Sequence, residues 1–203
     1  MNYQLETNQP DTKTPGASLR LFVYGTLKRD YWNHERFCRG VLSVEEAIVR
    51  GRLYELPSGI PVLEVSEADV LAYGTVDPLA DLSACNAQAG VATQARLAAE
   101  FAARAAQHPD PGKNGATGGR WGPVYGELLT FDDLETRLPA IDHLEGFLPC
   151  LRAGTHRQAG GLCLYERVLV PVGVGRRMWL AWLYMRGAAL SSRLKALKGR
   201  TWR

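Results

Sequence analysis

The sequence predicts an α+β domain in which a curled sheet or small mixed β-barrel carries flanking helices. Apolar, β-prone runs recur along the chain, the helical patterns are few and unevenly placed, and strands and helices do not alternate cleanly. The last point disfavours a doubly wound parallel sheet.

The elements follow in order. Residues 1–18 are polar, contain Pro10 and Pro15, and read as a flexible arm. Leu21-Phe22-Val23-Tyr24 is a buried strand that Gly25 stops. Residues 46–56 read as a longer strand, with Pro57, Ser58 and Gly59 turning after it. Residues 90–107 are alanine-rich, with Leu97 and Phe101 on one face and Glu100 placed to pair with Arg104, which is a helix. The glycines and prolines of His108 to Gly119 read as a mobile loop. A strand over Val124 to Phe131 follows. Asp132 and Asp133 can cap the next helix, whose apolar stripe is Leu134, Leu138 and Ile141. Pro139 suggests that this helix restarts as a second short one. It ends at Glu145-Gly146, with glycine at the usual stop. After a polar loop at 149–162 come two strong strands, Tyr165–Val172 and Met178–Met185.

The organisation expected is a single domain over 19–186 with an insertion at 66–120, then a basic helix or tail over 187–203. The 203 residues, 46% hydrophobic, suffice for a real core. The net charge of +3 is carried near the end by Arg193, Lys195, Lys198, Arg200 and Arg203. No basic stripe or nucleic-acid motif supports this tail, which reads as a solvated helix face with a frayed end. Cys38, Cys85, Cys150 and Cys163 form no CxxC pair and have no histidine at metal-ligand spacing, so they read as free thiols in a reducing compartment. The N-terminus lacks an apolar signal region, and no run approaches the ~18 apolar residues of a membrane span. A cytoplasmic protein without nucleic-acid or membrane partners is expected, its oligomeric state left open.

Two local patterns can carry chemistry. A buried strand ending in Gly25-Thr26-Leu27 can turn successive backbone N–H groups toward one point, a nest for an anion such as a carboxylate. An ordinary strand–turn explains the same residues. A second copy, Tyr73-Gly74-Thr75-Val76, shows how cheap the pattern is; it lacks a preceding apolar strand and reads as chance. Glu145, beside Leu144 and Phe147, meets the negative end of its helix dipole. Dipole and burial both raise a carboxyl pKa toward what acid–base chemistry near neutral pH needs. A solvated glutamate at a helix end is the alternative. Glu127 is the rival carboxylate: inward it must be paired or functional, outward it meets water. His34, His108, His143 and His156 show no triad spacing, the serines lack a nucleophile elbow, and neither a Walker loop nor a dinucleotide fingerprint is present.

Taken together, the motifs are more specific than any one of them. Phe-Val-Tyr-Gly-Thr-Leu-Lys-Arg at 22–29, Asn33-His34, Gly51-Arg52-Leu53-Tyr54, Tyr125-Gly126-Glu127-Leu128, the run from Ile141 to Phe147, Tyr165-Glu166-Arg167 and Ala181-Trp182-Leu183-Tyr184 occur in that order. The chain thereby resembles the γ-glutamyl cyclotransferase-like family over 20–65 and 121–186. The resemblance implies a small mixed barrel flanked by helices, with a pocket at one end. It implies a reaction in which the α-amine of a γ-glutamyl group attacks its own γ-carbonyl, closing 5-oxoproline and releasing an amine or amino acid. It puts the catalytic glutamate on Glu145 and the carboxylate-binding loop on Gly25, Thr26 and Leu27, with Tyr24 beside it and Tyr165 lining the pocket. Neither metal nor organic cofactor is implied. The insertion at 66–120 and the gap from Glu145 to Tyr165 are long for this family, which bears on specificity more than on reaction type. A ligand- or partner-binding scaffold of the same fold, or γ-glutamyl transfer or hydrolysis without ring closure, are the alternatives.

Overall fold

The computed structural model describes residues 18–88, 96, 98–99, 101–103, 121–147, 164–187, 190, 194–197 and 199–202. Five strands close a ring: β1 (Leu19–Val23), β2 (Ser43–Glu55), β5 (Gly122–Phe131), β6 (Tyr165–Val174) and β7 (Arg177–Arg186). Round the ring the order is β2, β5, β1, β7, β6, and an Ile48–Gly173 pairing returns β6 to β2. The β1–β7 neighbours are parallel and the other ring pairs antiparallel, so the barrel is mixed. Strands β3 (Pro61–Val65) and β8 (Lys195–Ala196) flank β2, and β4 (Ala72–Tyr73) flanks β6. The helices are α1 (Trp32–Phe37), α2 (Pro78–Gln88) and α3 (Leu134–Glu145). The architecture is the α+β barrel with flanking helices that the sequence predicts.

Period-two alternation explains how the layers assemble. Phe22, Ala47, Val49, Val124, Leu128, Val168, Val170, Ala181 and Leu183 come from all five ring strands and pack together inside the barrel. Leu19, Leu21 and Val23 point the other way, onto Leu134, Leu138 and Ile141 of α3. Strand β1 is therefore covered on both faces from Leu21 to Val23, which is why those residues read as an unbroken apolar run. The α3 stripe is fully buried, and each such side chain contributes about 1.5–3 kcal/mol by leaving water. This packing holds α3, and with it Glu145, against the barrel.

Several expectations are corrected. Helix α3 does not restart at Pro139; it runs through it. Pro139 and Glu135 both face solvent, so the Glu135 carbonyl that loses its N–H partner can bond to water. Asp133 stands at the helix start, but its carboxylate pairs with Arg137 at 2.7 Å instead of capping the backbone. The segment expected as an insertion holds β4, which joins the main sheet beside β6. It also holds α2, which the sequence reading missed although Asp77-Pro78 is a good start signal: Asp77 Oδ1 accepts the N–H groups of Leu79 and Ala80 at 2.9 and 3.2 Å.

The second Tyr-Gly-Thr copy is not chance either. The N–H of Thr75 and its hydroxyl both donate to the Asp81 carboxylate. In the segment expected as a C-terminal helix or tail, Leu190 lies in a 3-10 turn, and residues 194–197 dock on the barrel. Lys195–Ala196 pair with β2, the Leu197 N–H reaches the Leu53 carbonyl at 2.9 Å, and Leu197 and Trp202 pack on the barrel core. An available edge of β2 and these apolar side chains outweigh helix formation there. The arm before residue 18, the loops at 108–119 and 149–162 and most of the helix expected at 90–107 lie outside the described residues; those described between 96 and 103 are helical.

Candidate active site

Strand β1 ends at Val23, and the chain turns at once through Gly25-Thr26-Leu27. The turn is held from outside. Asn33 Nδ2, buried on α1, donates to Thr26 Oγ1 at 2.8 Å. His34 Nδ1 lies 2.7 Å from the Leu27 carbonyl, which can only accept, so that nitrogen carries the proton. The Lys28 N–H closes back on the Gly25 carbonyl at 3.1 Å. The Thr26 hydroxyl and the Gly25 and Leu27 carbonyls are thus engaged. Among the described residues no hydrogen bond uses the N–H groups of Gly25, Thr26 or Leu27.

The glutamate arrives from the far side. Gly146 takes a left-handed conformation at φ 63°, its N–H bonds to the His143 carbonyl, and the Phe147 N–H reaches back to Asp142 at 2.9 Å. This pair of bonds is a Schellman stop, and it fixes Glu145 as the last helical residue.

Glu145 and the turn line one cleft of about 410 Å³, part of it open to solvent, with Phe22, Val23, Tyr24, Ile60, Pro61, Tyr165 and Tyr184. All six residues singled out by sequence, Tyr24, Gly25, Thr26, Leu27, Glu145 and Tyr165, therefore meet there. Sequence reasoning missed the apolar wall from Ile60 and Pro61, which directly follow the Pro57–Gly59 turn, and missed Tyr184. It also missed the roles of Asn33 and His34, although both stand in the motif series.

The electrostatics follow from the depth of the cleft. Glu145 is half-buried at the cleft, and burial among its neighbours pushes its carboxyl up to about 7. Burial also raises the phenol of Tyr24, with smaller contributions from Tyr165 and Glu145, and that of Tyr165, with Glu145 adding to it. Both phenols stay protonated near neutral pH. Tyr24 spends its proton on the Tyr184 carbonyl at 2.8 Å, so it offers the cleft its ring. Tyr165 reaches the Pro61 carbonyl at a long 3.5 Å, a weak bond that leaves its hydroxyl free to turn to a ligand.

Glu127 stands outside this cleft. Its oxygens accept from the Arg29 N–H at 2.8 Å and Arg29 Nε at 3.0 Å, tying the loop after the turn to β5. Among the described residues no group of three or more His, Cys, Asp or Glu could hold a metal ion, and no helix is long and apolar enough to cross a membrane.

Comparison with known proteins follows the same lines. The family described as gamma-glutamyl cyclotransferase, AIG2-like, matches residues 21–84, from β1 into α2. Glu145 lies beyond that match. No curated protein matches the chain significantly. Similar solved structures include YkqA from Bacillus subtilis, 16% identical, covering 91% of this chain at a TM-score of 0.42. This chain spans 39% of that protein's length. An AIG2-like protein from Mus musculus is 17% identical, with 86% of this chain and 80% of that one covered and a TM-score of 0.43. An uncharacterised protein from Pyrococcus horikoshii is 14% identical over 91% of this chain and 89% of that one, with a TM-score of 0.42. At such identities the reaction has to be argued from the site.

Proposed function

We propose that this chain, whose residues 21–84 match the gamma-glutamyl cyclotransferase, AIG2-like family, converts a γ-glutamyl amide or peptide to 5-oxoproline and releases an amine or amino acid. The observation that carries the reading is the single cleft shared by Glu145 and the Gly25-Thr26-Leu27 turn. The N–H groups of the turn take the substrate α-carboxylate. That fixes the α-amine and leaves the γ-carbonyl to fold back toward it. Nucleophile and electrophile belong to one molecule, so much of the rate comes from freezing the reactive rotamer.

The amine is protonated at neutral pH and loses one proton to water before it attacks. As the new C–N bond forms, Glu145 as carboxylate accepts the second proton from the attacking nitrogen and gives it to the leaving nitrogen as the old C–N bond breaks. A carboxyl raised to about 7 suits both halves, because neither protonation state is scarce near neutral pH. The Tyr165 hydroxyl and backbone N–H groups are the donors available to the γ-oxyanion. The apolar wall of Ile60, Pro61 and Phe22 keeps bulk water from competing with the amine.

The substrate is a small molecule, and no step calls for a metal or organic cofactor. Cys38 and Cys85, both buried free thiols, suit the reducing cytoplasm in which we set the protein. A panel of γ-glutamyl amides, dipeptides and isopeptides, followed by mass spectrometry, tests the reading. 5-Oxoproline with equimolar amine supports it. Glutamate in place of 5-oxoproline means hydrolysis, and binding without turnover means a scaffold.

A further inference from the structure

The reaction above makes no use of the charged cluster behind the cleft. Arg167 on β6 is fully buried, a position rare for arginine. One arm of its guanidinium grips both oxygens of Asp142 on α3. The other arm grips Asp81 on α2 and reaches the Thr75 carbonyl at 2.8 Å. Its carbon centre lies 4.5 Å from the centre of the Phe147 ring and 5.7 Å from that of Trp182. Asp142 also accepts the Tyr184 hydroxyl at 2.6 Å, and the Tyr184 carbonyl accepts that of Tyr24. The backbone yields to this side chain, for a Cβ on Gly74 would stand 2.6 Å from Arg167 Nε.

The placement of the partners is what matters. Asp142 lies three residues before Glu145, on the same helix face one turn back, and Phe147 lies two residues after it. A helix end is where a helix frays, and Glu145 is the final residue of α3. One guanidinium holds the chain on both sides of that residue. A buried cation between two carboxylates is a poor source of stability compared with apolar packing, so fold stability alone does not account for it. We propose that Arg167, anchored by Asp81 of α2, is a positioning residue that sets Glu145 in the cleft through Asp142 and Phe147.

This inference rests on the cyclotransferase reading for its catalytic consequence but not for its structural one, and the test separates the two. Arg167→Lys keeps the charge and loses the planar fork; Asp142→Asn keeps the side-chain shape and the Tyr184 contact. In each folded variant the Glu145 carboxyl is titrated by carbon-13 NMR, with Glu145→Gln assigning the signal. The groups facing Glu145 are the phenols of Tyr24 and Tyr165, which stay protonated through the scan; Ile60 and Pro61, before and at the start of β3, do not titrate, and β7 contributes Tyr184, also protonated.

The Glu145 midpoint should fall from about 7 toward the ordinary carboxylate range as the loosened helix end admits water. On a substrate found in the screen, kcat should drop roughly 10–100-fold while KM stays within about threefold, since the turn still holds the α-carboxylate. If Arg167→Lys does not fold, Asp142→Asn decides, because it leaves the Arg167–Asp81 pair intact. A folded Asp142→Asn with wild-type Glu145 titration overturns the proposal. A wild type that makes no 5-oxoproline defeats the cyclotransferase reading and leaves the titration to judge the positioning role.

Discussion

The chain contains Tyr-Gly-Thr twice, and the two copies do different work. At 73–76 the Thr75 N–H and hydroxyl are taken by Asp81, six residues on, which is itself bound to Arg167. At 24–27 no described carboxylate takes these donors, although Asp30 stands only four residues after Thr26; Asn33 and His34 hold the hydroxyl and a carbonyl of the turn, and the turn borders a cleft. One segment already holds a carboxylate of the protein, and the other faces space where a substrate carboxylate can go. A Gly-Thr turn after a strand therefore supplies donors, and what arrives from elsewhere in the chain decides whether they serve the fold or a ligand.

The largest effect that would break this contrast lies at Glu145, the group facing the open copy. Glu145→Gln keeps the shape and hydrogen-bonding reach of the side chain and removes its ability to carry a proton. Turnover should fall by about 10²–10⁴, with substrate affinity changed much less. The same variant should gain stability at high pH. Burial raises the Glu145 pKa from 4.5 to about 7, so between those values the native state holds a proton that the unfolded chain releases. Stability from this group is full below about pH 4.5 and is lost as pH rises through 7, by roughly 3 kcal/mol in all. Urea midpoints at pH 5 and pH 8 check this. The wild type should weaken relative to Glu145→Gln at the higher pH, and parallel midpoints would mean that the carboxylate is solvated.

Removing the hydroxyl from each copy in turn sharpens the comparison. Thr75→Val deletes a partly buried bond to the Asp81 carboxylate and should cost about 1–2 kcal/mol. Thr26→Val deprives the buried Asn33 amide of its acceptor, at a similar cost in stability. The two should part in kinetics. Thr26→Val lets the open turn relax and should raise KM by roughly 3–10-fold, as removal of a ground-state binding contact does. Thr75→Val should leave KM near the wild-type value. Equal KM effects would erase the distinction between a turn that binds substrate and one that binds Asp81.

How much of this was legible in sequence depended on distance along the chain. The β1 strand, the turn after it and the Glu145-Gly146 stop are local events written in adjacent residues, and each was readable. The Arg167 cluster was not, although Tyr165-Glu166-Arg167 stood out as a motif, because Asp142 and Asp81 lie 25 and 86 residues away and nothing local marks them as partners. Barrel closure rests on the pairing of Ile48 with Gly173, equally invisible to any window. Pro139 misled because a proline near a helix start costs less where the freed carbonyl can turn to water, and Glu135 and Pro139 both lie on the exposed side.

The smallest expected effect is the most discriminating control. Glu127 was the rival for proton transfer on sequence alone, and its neighbourhood argues for a tether. It binds the N–H and side chain of Arg29, itself about half exposed, and lies outside the cleft that holds Glu145. An ion pair with so exposed a partner contributes about 0–1 kcal/mol. The amide oxygen of Glu127→Gln can still accept from the Arg29 N–H, so the loop should keep its path. The melting temperature should drop by a few degrees at most, and the rate per folded molecule should match the wild type over the whole pH range. Added salt should narrow the stability difference, because screening weakens the ion pair and spares the amide bond. Should Glu127→Gln instead abolish turnover while Glu145→Gln retains it, proton transfer belongs to the other carboxylate, and the contrast between the open turn and the filled one loses its catalytic meaning.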